Sequence, residues 1–131
     1  MKKTFRETIN TVFNQLINQG GCSIKDTTCL YRGPDNRKCA AGSLIPDSEY
    51  SSSMEYTLAS YGKVKDVLKN NGYYIDLVRS LQRIHDSIAV SAHTDCEKVQ
   101  YFKEIKKALL KSLDDKKSVT KRAYELIKEY K

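Results

Sequence analysis

The sequence lacks the apolar runs and short motifs that would assign it to a functional class at once. No stretch approaches the roughly 18 apolar residues that a membrane-spanning helix needs. The N-terminal MKKTFRETINTVF starts with lysines, but polar residues interrupt it where a signal peptide would be apolar. We therefore expect a cytoplasmic protein whose cysteines are thiols. The Walker loop, GxSxG and HExxH are also missing, which disfavours the enzymes that depend on them.

The composition is that of one globular domain, which we place at residues 1–131. Of the 131 residues, 40% are apolar and 30% are charged, and the net charge is +7. Residues 103–131 hold ten Lys or Arg against five Asp or Glu. Such an excess favours nucleic acid, anionic metabolites or acidic protein surfaces as partners. Lysine-rich helices that face only solvent explain the charge equally well.

Most of the chain has the periodicity of amphipathic helices. Apolar residues recur every three or four positions over 4–19, 63–70, 74–90 and 95–113, and again after Ser118. Thr4 with Glu7, and Thr94 with Glu97, have the T-x-x-E spacing of capping boxes. We predict a motif-bearing helical core over 4–90 and a basic helical C-terminal extension over 95–131.

One segment, CLYRGPDNRKCAAGSLIPD at 29–47, differs from the rest of the chain. It contains both prolines of the chain and two of its four cysteines. Its GPDN sequence is typical of a turn, with Pro34 and Asn36 at positions that suit their backbone preferences. We predict a β-hairpin at about 28–44, with Tyr31 opposite Cys39. The predicted fold class is therefore mainly α with a small β-hairpin (α+β), in a single helical domain.

Metal binding and thiol chemistry are weakly supported. Six and nine residues separate Cys22, Cys29 and Cys39, whereas zinc ribbons use C-x2-4-C pairs. Cys39 follows two basic residues and His85 could act as a base, but this is weak support for a nucleophile. We predict no catalytic residue, no metal ligand and no cofactor, and keep a thiol enzyme or zinc protein as an alternative.

The same segment could bind an anion through its basic side chains, with a tyrosine stacking on a base. The simpler interpretation is that its glycines and prolines only build a turn. His85 falls on the apolar face of its helix, which favours a hydrogen-bonded core histidine, and we expect Asp86 to lie too far round the helix to face it. The candidate binding residues are Tyr31, Arg32, Arg37, Lys38, Tyr50, His85 and Asp86.

CLYRGPDNRKCAAGSLIPDSEY, followed by LVRSLQRIHD, resembles a family of small phage and bacterial proteins with the pattern C-x-YRGPDG-x-KCA-x-G-x-LIPD and a later LQ-x-x-HD. The resemblance covers roughly residues 4–90. Asn36 stands where the family has glycine, and Asn also tolerates a positive φ. The resemblance implies a phage or prophage setting and no particular activity.

These observations lead to three functional hypotheses. The first is a non-enzymatic phage accessory protein that binds a host macromolecule, a host protein before nucleic acid, and inhibits a defence or metabolic system. The second is a protein that sequesters a nucleotide or another anionic small molecule with the basic hairpin. The third is the thiol enzyme or zinc protein.

Overall fold

The computed structural model of the protein describes residues 2–130. Within them the chain forms five α-helices and one two-stranded antiparallel hairpin, which confirms the predicted fold class. The elements are α1 (Phe5–Asn18), β1 (Ile24–Lys25), β2 (Thr28–Cys29), α2 (Gly62–Asn70), α3 (Ile75–Ala89), α4 (Asp95–Asp114) and α5 (Val119–Glu129). Short 3₁₀ turns at 34–36, 42–44, 47–49 and 52–54 lie between β2 and α2. None of the helices in residues 2–130 has the length and apolar character of a membrane span.

The helix ends follow the capping chemistry of the sequence. The Glu7 N–H donates to Thr4 Oγ1 at 3.0 Å, directly before α1. At α4 both bonds of the capping box form: the Glu97 N–H donates to Thr94 Oγ1 at 3.2 Å, and the Thr94 N–H donates to the Glu97 carboxylate at 2.9 Å. Gly20, with φ at +84°, follows the end of α1. The helices α1 to α4 are confirmed, each within one residue of its predicted bounds.

Apolar side chains of α1, α3, α4 and α5 meet in the core. The α1 helix packs along α4, α3 packs along α5, and α4 contacts α5. Phe13 and Phe102 are fully buried, with their ring centroids 6.1 Å apart. Leu109 and Leu126 are buried as well. The region predicted as a basic C-terminal extension therefore supplies part of the core, while its lysines between 103 and 128 remain exposed or half-buried.

The predicted position of the hairpin, residues 28–44, is wrong. The antiparallel pairing instead joins Ile24 to Cys29 and Lys25 to Thr28, so the hairpin ends where it was expected to begin. It is a minimal ladder of two residues on each side.

Side-chain bonds to the backbone explain why the later segment is not a hairpin. The Glu55 carboxylate accepts hydrogen bonds from the backbone N–H of Tyr31 at 2.9 Å and of Arg32 at 3.0 Å. These N–H groups are therefore committed to a side chain instead of a strand partner. The predicted turn does close, because the Gly33 N–H donates to the Arg37 carbonyl at 2.9 Å.

Candidate functional site

The segment 29–55, which we call the corner, folds around the side chain of Arg32. The guanidinium donates to the carbonyl oxygens of Gly42 and Ile45, both at 2.8 Å, and to Asp47 Oδ1 at 3.0 Å. Its central carbon lies 4.8 Å from the centre of the Tyr50 ring, which is a cation–π contact. Only 19% of the Arg32 side chain is exposed. Arg32 thus joins separate turns of the corner and has little surface left for a ligand.

Glu55 holds the other side of the corner. Besides the two backbone N–H groups, its carboxylate accepts the Tyr50 hydroxyl at 2.6 Å. Burial and this bond to a carboxylate raise the pKa of Tyr50 to about 12. The Tyr31 hydroxyl donates to the Thr57 carbonyl at 2.5 Å, and burial raises the pKa of Tyr31 well above its usual range. Both tyrosines remain protonated and hold the corner together.

The other two basic residues of the predicted anion site also bind internal acceptors. Arg37 Nη2 lies 3.2 Å from Asp95 Oδ2 at the start of α4 and 3.4 Å from the Gly20 carbonyl oxygen at the end of α1. Lys38 Nζ lies 3.5 Å from Asp47 Oδ1, and its charge, followed by the hydrogen bond from Arg32, lowers the pKa of Asp47. All three predicted cations therefore have acidic or carbonyl partners within the protein.

His85 and Asp86 face each other directly, so the expectation that Asp86 lies too far round the helix was wrong. His85 is fully buried, and its Nδ1 lies 3.0 Å from Asp86 Oδ1. The Ser23 backbone N–H, which can only donate, points at His85 Nε2 from 3.0 Å. Nε2 must therefore carry the lone pair, and the neutral ring carries its proton on Nδ1, where it donates to Asp86.

Gln82 provides a second support for Asp86. Its Nε2 donates to Asp86 Oδ1 at 2.6 Å, while its Oε1 accepts the backbone N–H of Ala41 at 2.8 Å. We call Gln82, His85 and Asp86 the Asp86 network. Each of its two donors is oriented by a backbone N–H from another part of the chain, which gives the spacing LQ-x-x-HD a structural reason.

The donor atoms of Cys29, His85 and Asp86 all lie within 4.8 Å of one another, close enough to suggest a metal site. The protons on the His85 ring and on the Cys29 thiol, however, are placed unfavourably for a metal ion. A metal on His85 Nδ1 would require the ring proton on Nε2, where it would face the Ser23 N–H. Burial, together with the nearby Asp86 carboxylate, also raises the pKa of Cys29 well above its usual range, which opposes the thiolate that a metal needs. The cluster as it stands is a hydrogen-bonded support.

The remaining thiols of the corner region are equally poor nucleophiles. Burial raises the pKa of Cys22 and that of Cys39 to about 12 each. Cys39 is fully buried, and its Sγ accepts the Gly42 N–H at 3.4 Å. His85 cannot serve as a base for any of them through Nε2, because that lone pair is occupied. These findings argue against a thiol enzyme.

We expect thiol titration to separate Cys96 from the other cysteines. Cys96 is exposed, whereas the other three are buried or half-buried and protonated. With an aromatic disulfide reagent at pH 8, the native protein should show one fast thiol, and all four should react after denaturation. Cys96→Ser should abolish the fast phase. A fast thiol that remains in Cys96→Ser would contradict this assignment.

A groove of about 770 Å³ opens beside the Asp86 network. Its floor includes Cys29, Tyr31 and Asp86, and one wall comes from α5 through Tyr124 and Ile127. The Asp86 side chain is 45% exposed. Of the seven predicted binding residues, Tyr31 and Asp86 line this groove, while the other five lie outside its lining.

Large apolar side chains stand around the groove and remain uncovered. Tyr56 is 82% exposed, Leu58 71%, Val90 60% and Tyr124 55%, and all four line the groove. Tyr56 also has a φ of +65°, an uncommon value for an aromatic residue and one that is associated with functional sites. We call these four residues the rim. Sequence reasoning considered Tyr56 only as one of the tyrosines that could stack on a base, and it missed Leu58, Val90 and Tyr124. The position of Tyr124 off the apolar face of α5 was the one available signal.

Some basic side chains on the exposed face of α4 and beside it bind internal partners. Arg6 pairs with Asp114 at 2.6 Å, and Lys106 Nζ donates to Asn14 at 2.7 Å. Arg6, Lys106 and Asp114 line a second depression of about 600 Å³. We regard this face mainly as a solvated one, because exposed pairs of this kind are weak and its lysines surround little apolar surface.

No family model, curated protein or solved structure matches this chain. The resemblance to phage proteins thus remains a sequence-based expectation, and the site itself carries the functional argument.

Proposed function

We propose that the protein is a non-enzymatic binding protein that receives a segment of a partner protein in the groove between α3, α5 and the corner. The single observation that carries this proposal is the rim. Four of the six exposed large apolar side chains within the described residues gather around one groove. Clustered exposed apolar surface marks interaction sites, whereas single exposed apolar residues are ordinary.

The shape of the rim favours a protein segment over a small molecule. A ligand held within about 770 Å³ would be of ordinary drug size. It would leave the outer parts of Tyr56 and Leu58, which are 82% and 71% exposed, in water. A polypeptide segment can fill the groove and cover the rim together.

The net charge disfavours a second copy of this chain as the occupant. Each copy carries +7, so two copies repel one another at moderate ionic strength. The phage setting that the resemblance implies would make the partner a host protein, and its inhibition the biological outcome.

The alternative of nucleotide sequestration receives less support. Arg32, Arg37 and Lys38 are bound to internal acceptors. The carboxylate at the groove would repel phosphate.

The test is affinity capture from a lysate of the natural host with three forms of the protein. We expect the wild type to retain one protein in a stoichiometric amount, and Leu58→Asp to lose it, because a charge at the rim cannot be buried without a partner. Tyr61→Asp is the matched control, since Tyr61 is 72% exposed but lies outside the groove lining. Crosslinking followed by mass spectrometry should join the partner's segment to α5 or to residues 56–59.

Equal retention by wild type and Leu58→Asp would overturn the proposal. So would a nucleotide that raises the melting temperature of the wild type while the lysate yields no partner, because that result supports sequestration instead. Concentration-dependent dimerisation that Leu58→Asp abolishes would assign the groove to a second copy.

A further inference from the structure

We propose that the Asp86 carboxylate is the anchor for a positively charged side chain, lysine or arginine, on the segment that enters the groove. This inference rests on the proposed function and adds the chemistry of recognition to it. The partner's segment would consist of apolar residues for the rim and one cation for Asp86.

One oxygen of the carboxylate is left for a ligand. The hydrogen bonds from His85 Nδ1 and Gln82 Nε2 both go to Oδ1 of Asp86. Within the described residues, no N–H donor and no ion pair reaches Oδ2. The only other side chain bonded to the carboxylate there is the protonated Cys29 thiol, a weak donor that an incoming cation can outcompete. The side chain is 45% exposed and lines the groove, so a ligand can reach that oxygen.

The carboxylate is also held in place before any ligand arrives. His85 is fully buried and receives the Ser23 N–H, while Gln82 receives the Ala41 N–H. Both donors are therefore fixed by the backbone, and Asp86 loses little freedom when it binds. A group fixed in this way binds a ligand more tightly than a mobile surface carboxylate does.

Desolvation determines the sign of the ligand's charge. A segment that covers the rim removes water from Asp86, and a carboxylate without a partner is costly to bury. The occupant must therefore bring a donor, and a cation compensates best because it makes a charge-assisted hydrogen bond. Tyr31 and Tyr124 border the same space, but Tyr31 is only 6% exposed and Lys128 Nζ already lies 4.6 Å from the centre of the Tyr124 ring. The Asp86 carboxylate is therefore the contact that selects the ligand's charge.

Arg83 is the one cation among the groove-lining residues. Its side chain is exposed, and within the described residues no ion pair joins it to Asp86. The Arg83 guanidinium therefore leaves the Asp86 carboxylate open to a ligand, but its charge repels an incoming cation. Arg83→Gln is expected to bind a cationic probe as tightly as the wild type or a few-fold more tightly.

The decisive variant is Asp86→Asn, which keeps the shape of the side chain. Its amide oxygen can still accept from His85 and Gln82, so we expect the fold and the melting temperature to be preserved. Its amide nitrogen, however, replaces the free carboxylate oxygen with a donor that repels a cation. Asp66→Asn removes the same charge from α2, outside the groove, and is the matched control.

The probes are N-acetyl-arginine methylamide and its uncharged citrulline analogue, titrated into ¹⁵N-labelled protein and followed by NMR. We expect the arginine probe to shift the amide signals of Gln82, Asp86 and Ser87. The citrulline analogue should bind at least 10-fold more weakly, and Asp86→Asn should weaken the arginine probe by a similar factor. Asp66→Asn should leave its affinity within about two-fold.

The outcomes separate this inference from the proposed function. Equal binding of arginine and citrulline, or an arginine affinity unchanged in Asp86→Asn, would overturn the anchor. A captured partner that is lost with Leu58→Asp but bound equally by wild type and Asp86→Asn would also overturn the anchor, while the groove function would stand. A partner still bound by Leu58→Asp would remove the groove function itself.

Discussion

Replacing Arg32 with methionine is expected to lower the free energy of unfolding by about 3 kcal/mol. The change keeps the apolar stem but removes the donors to the Gly42 and Ile45 carbonyls and to Asp47. The Gly42 carbonyl keeps a bond from the Ile45 N–H at 3.3 Å, but the Ile45 carbonyl loses the donor that Arg32 supplies. A carbonyl left without a donor in a mostly buried place costs about 1–3 kcal/mol, and the loss of the bonds to Gly42 and Asp47 adds to this. Urea unfolding measures the effect as a lower midpoint at an unchanged slope.

Arg32→Lys tests whether charge or geometry matters at this position. Lysine restores the positive charge but lacks the planar fork that reaches two carbonyls together. We expect it to recover only a part of the loss, leaving a destabilisation of about 2 kcal/mol. Arg79→Met is the control, because Arg79 is exposed on α3, and its effect should stay within about 0.5 kcal/mol. A loss below about 1 kcal/mol for Arg32→Met would mean that Arg32 does not hold the corner.

The helices could be predicted from the sequence because their determinants are local. The caps at Thr4 and Thr94 and the apolar periodicity each act within a few residues. The structure confirms the complete capping box at Thr94, whereas at Thr4, of the two bonds of the box, it shows only the bond from the Glu7 N–H to the threonine side chain. The hairpin could not be placed correctly, because a distant residue decides it. Glu55 captures the N–H groups of Tyr31 and Arg32 from more than twenty positions away, and no periodicity encodes such a bond.

The candidate site was only partly accessible to sequence reasoning, for a related reason. The unusual composition of the segment 29–47 pointed to the corner. Composition does not tell, however, whether a charged side chain faces solvent or a carbonyl group. Arg32 faces carbonyls, whereas Asp86 faces the groove. The rim depends on which apolar residues the tertiary fold leaves uncovered. Leu58 and Val90 look like core residues in the sequence, and only the packing of the helices exposes them.

The corner and the Asp86 network support different parts of the groove and are joined at one point. The corner holds Tyr31 against the groove through Glu55 and the Thr57 carbonyl, and the network holds Asp86 from α3. The two supports meet where the Ala41 N–H binds Gln82. A change that displaces the backbone near Ala41 should therefore disturb both the wall and the anchor of the groove.

Gly42→Ala makes such a change and is the second prediction with a large expected effect. A Cβ at position 42 would lie 2.3 Å from the Tyr31 carbonyl oxygen and 3.1 Å from the Tyr31 Cα, and both atoms belong to the backbone. Because Gly42 is buried and its own carbonyl is held by Arg32, the two chain segments must separate. We expect a loss of about 3 kcal/mol in the free energy of unfolding, measured by urea titration.

Gly62→Ala is the matched control for that measurement, because a Cβ there meets nothing within 4 Å. Its φ of +57° still disfavours alanine, so we expect a loss of about 1 kcal/mol from backbone strain alone. The difference between the two variants then isolates the close approach of residues 31 and 42. If Gly42→Ala were no less stable than Gly62→Ala, the tight contact that fixes Tyr31 at the groove would not exist. In that case the groove could not be the rigid surface on which the proposed binding depends.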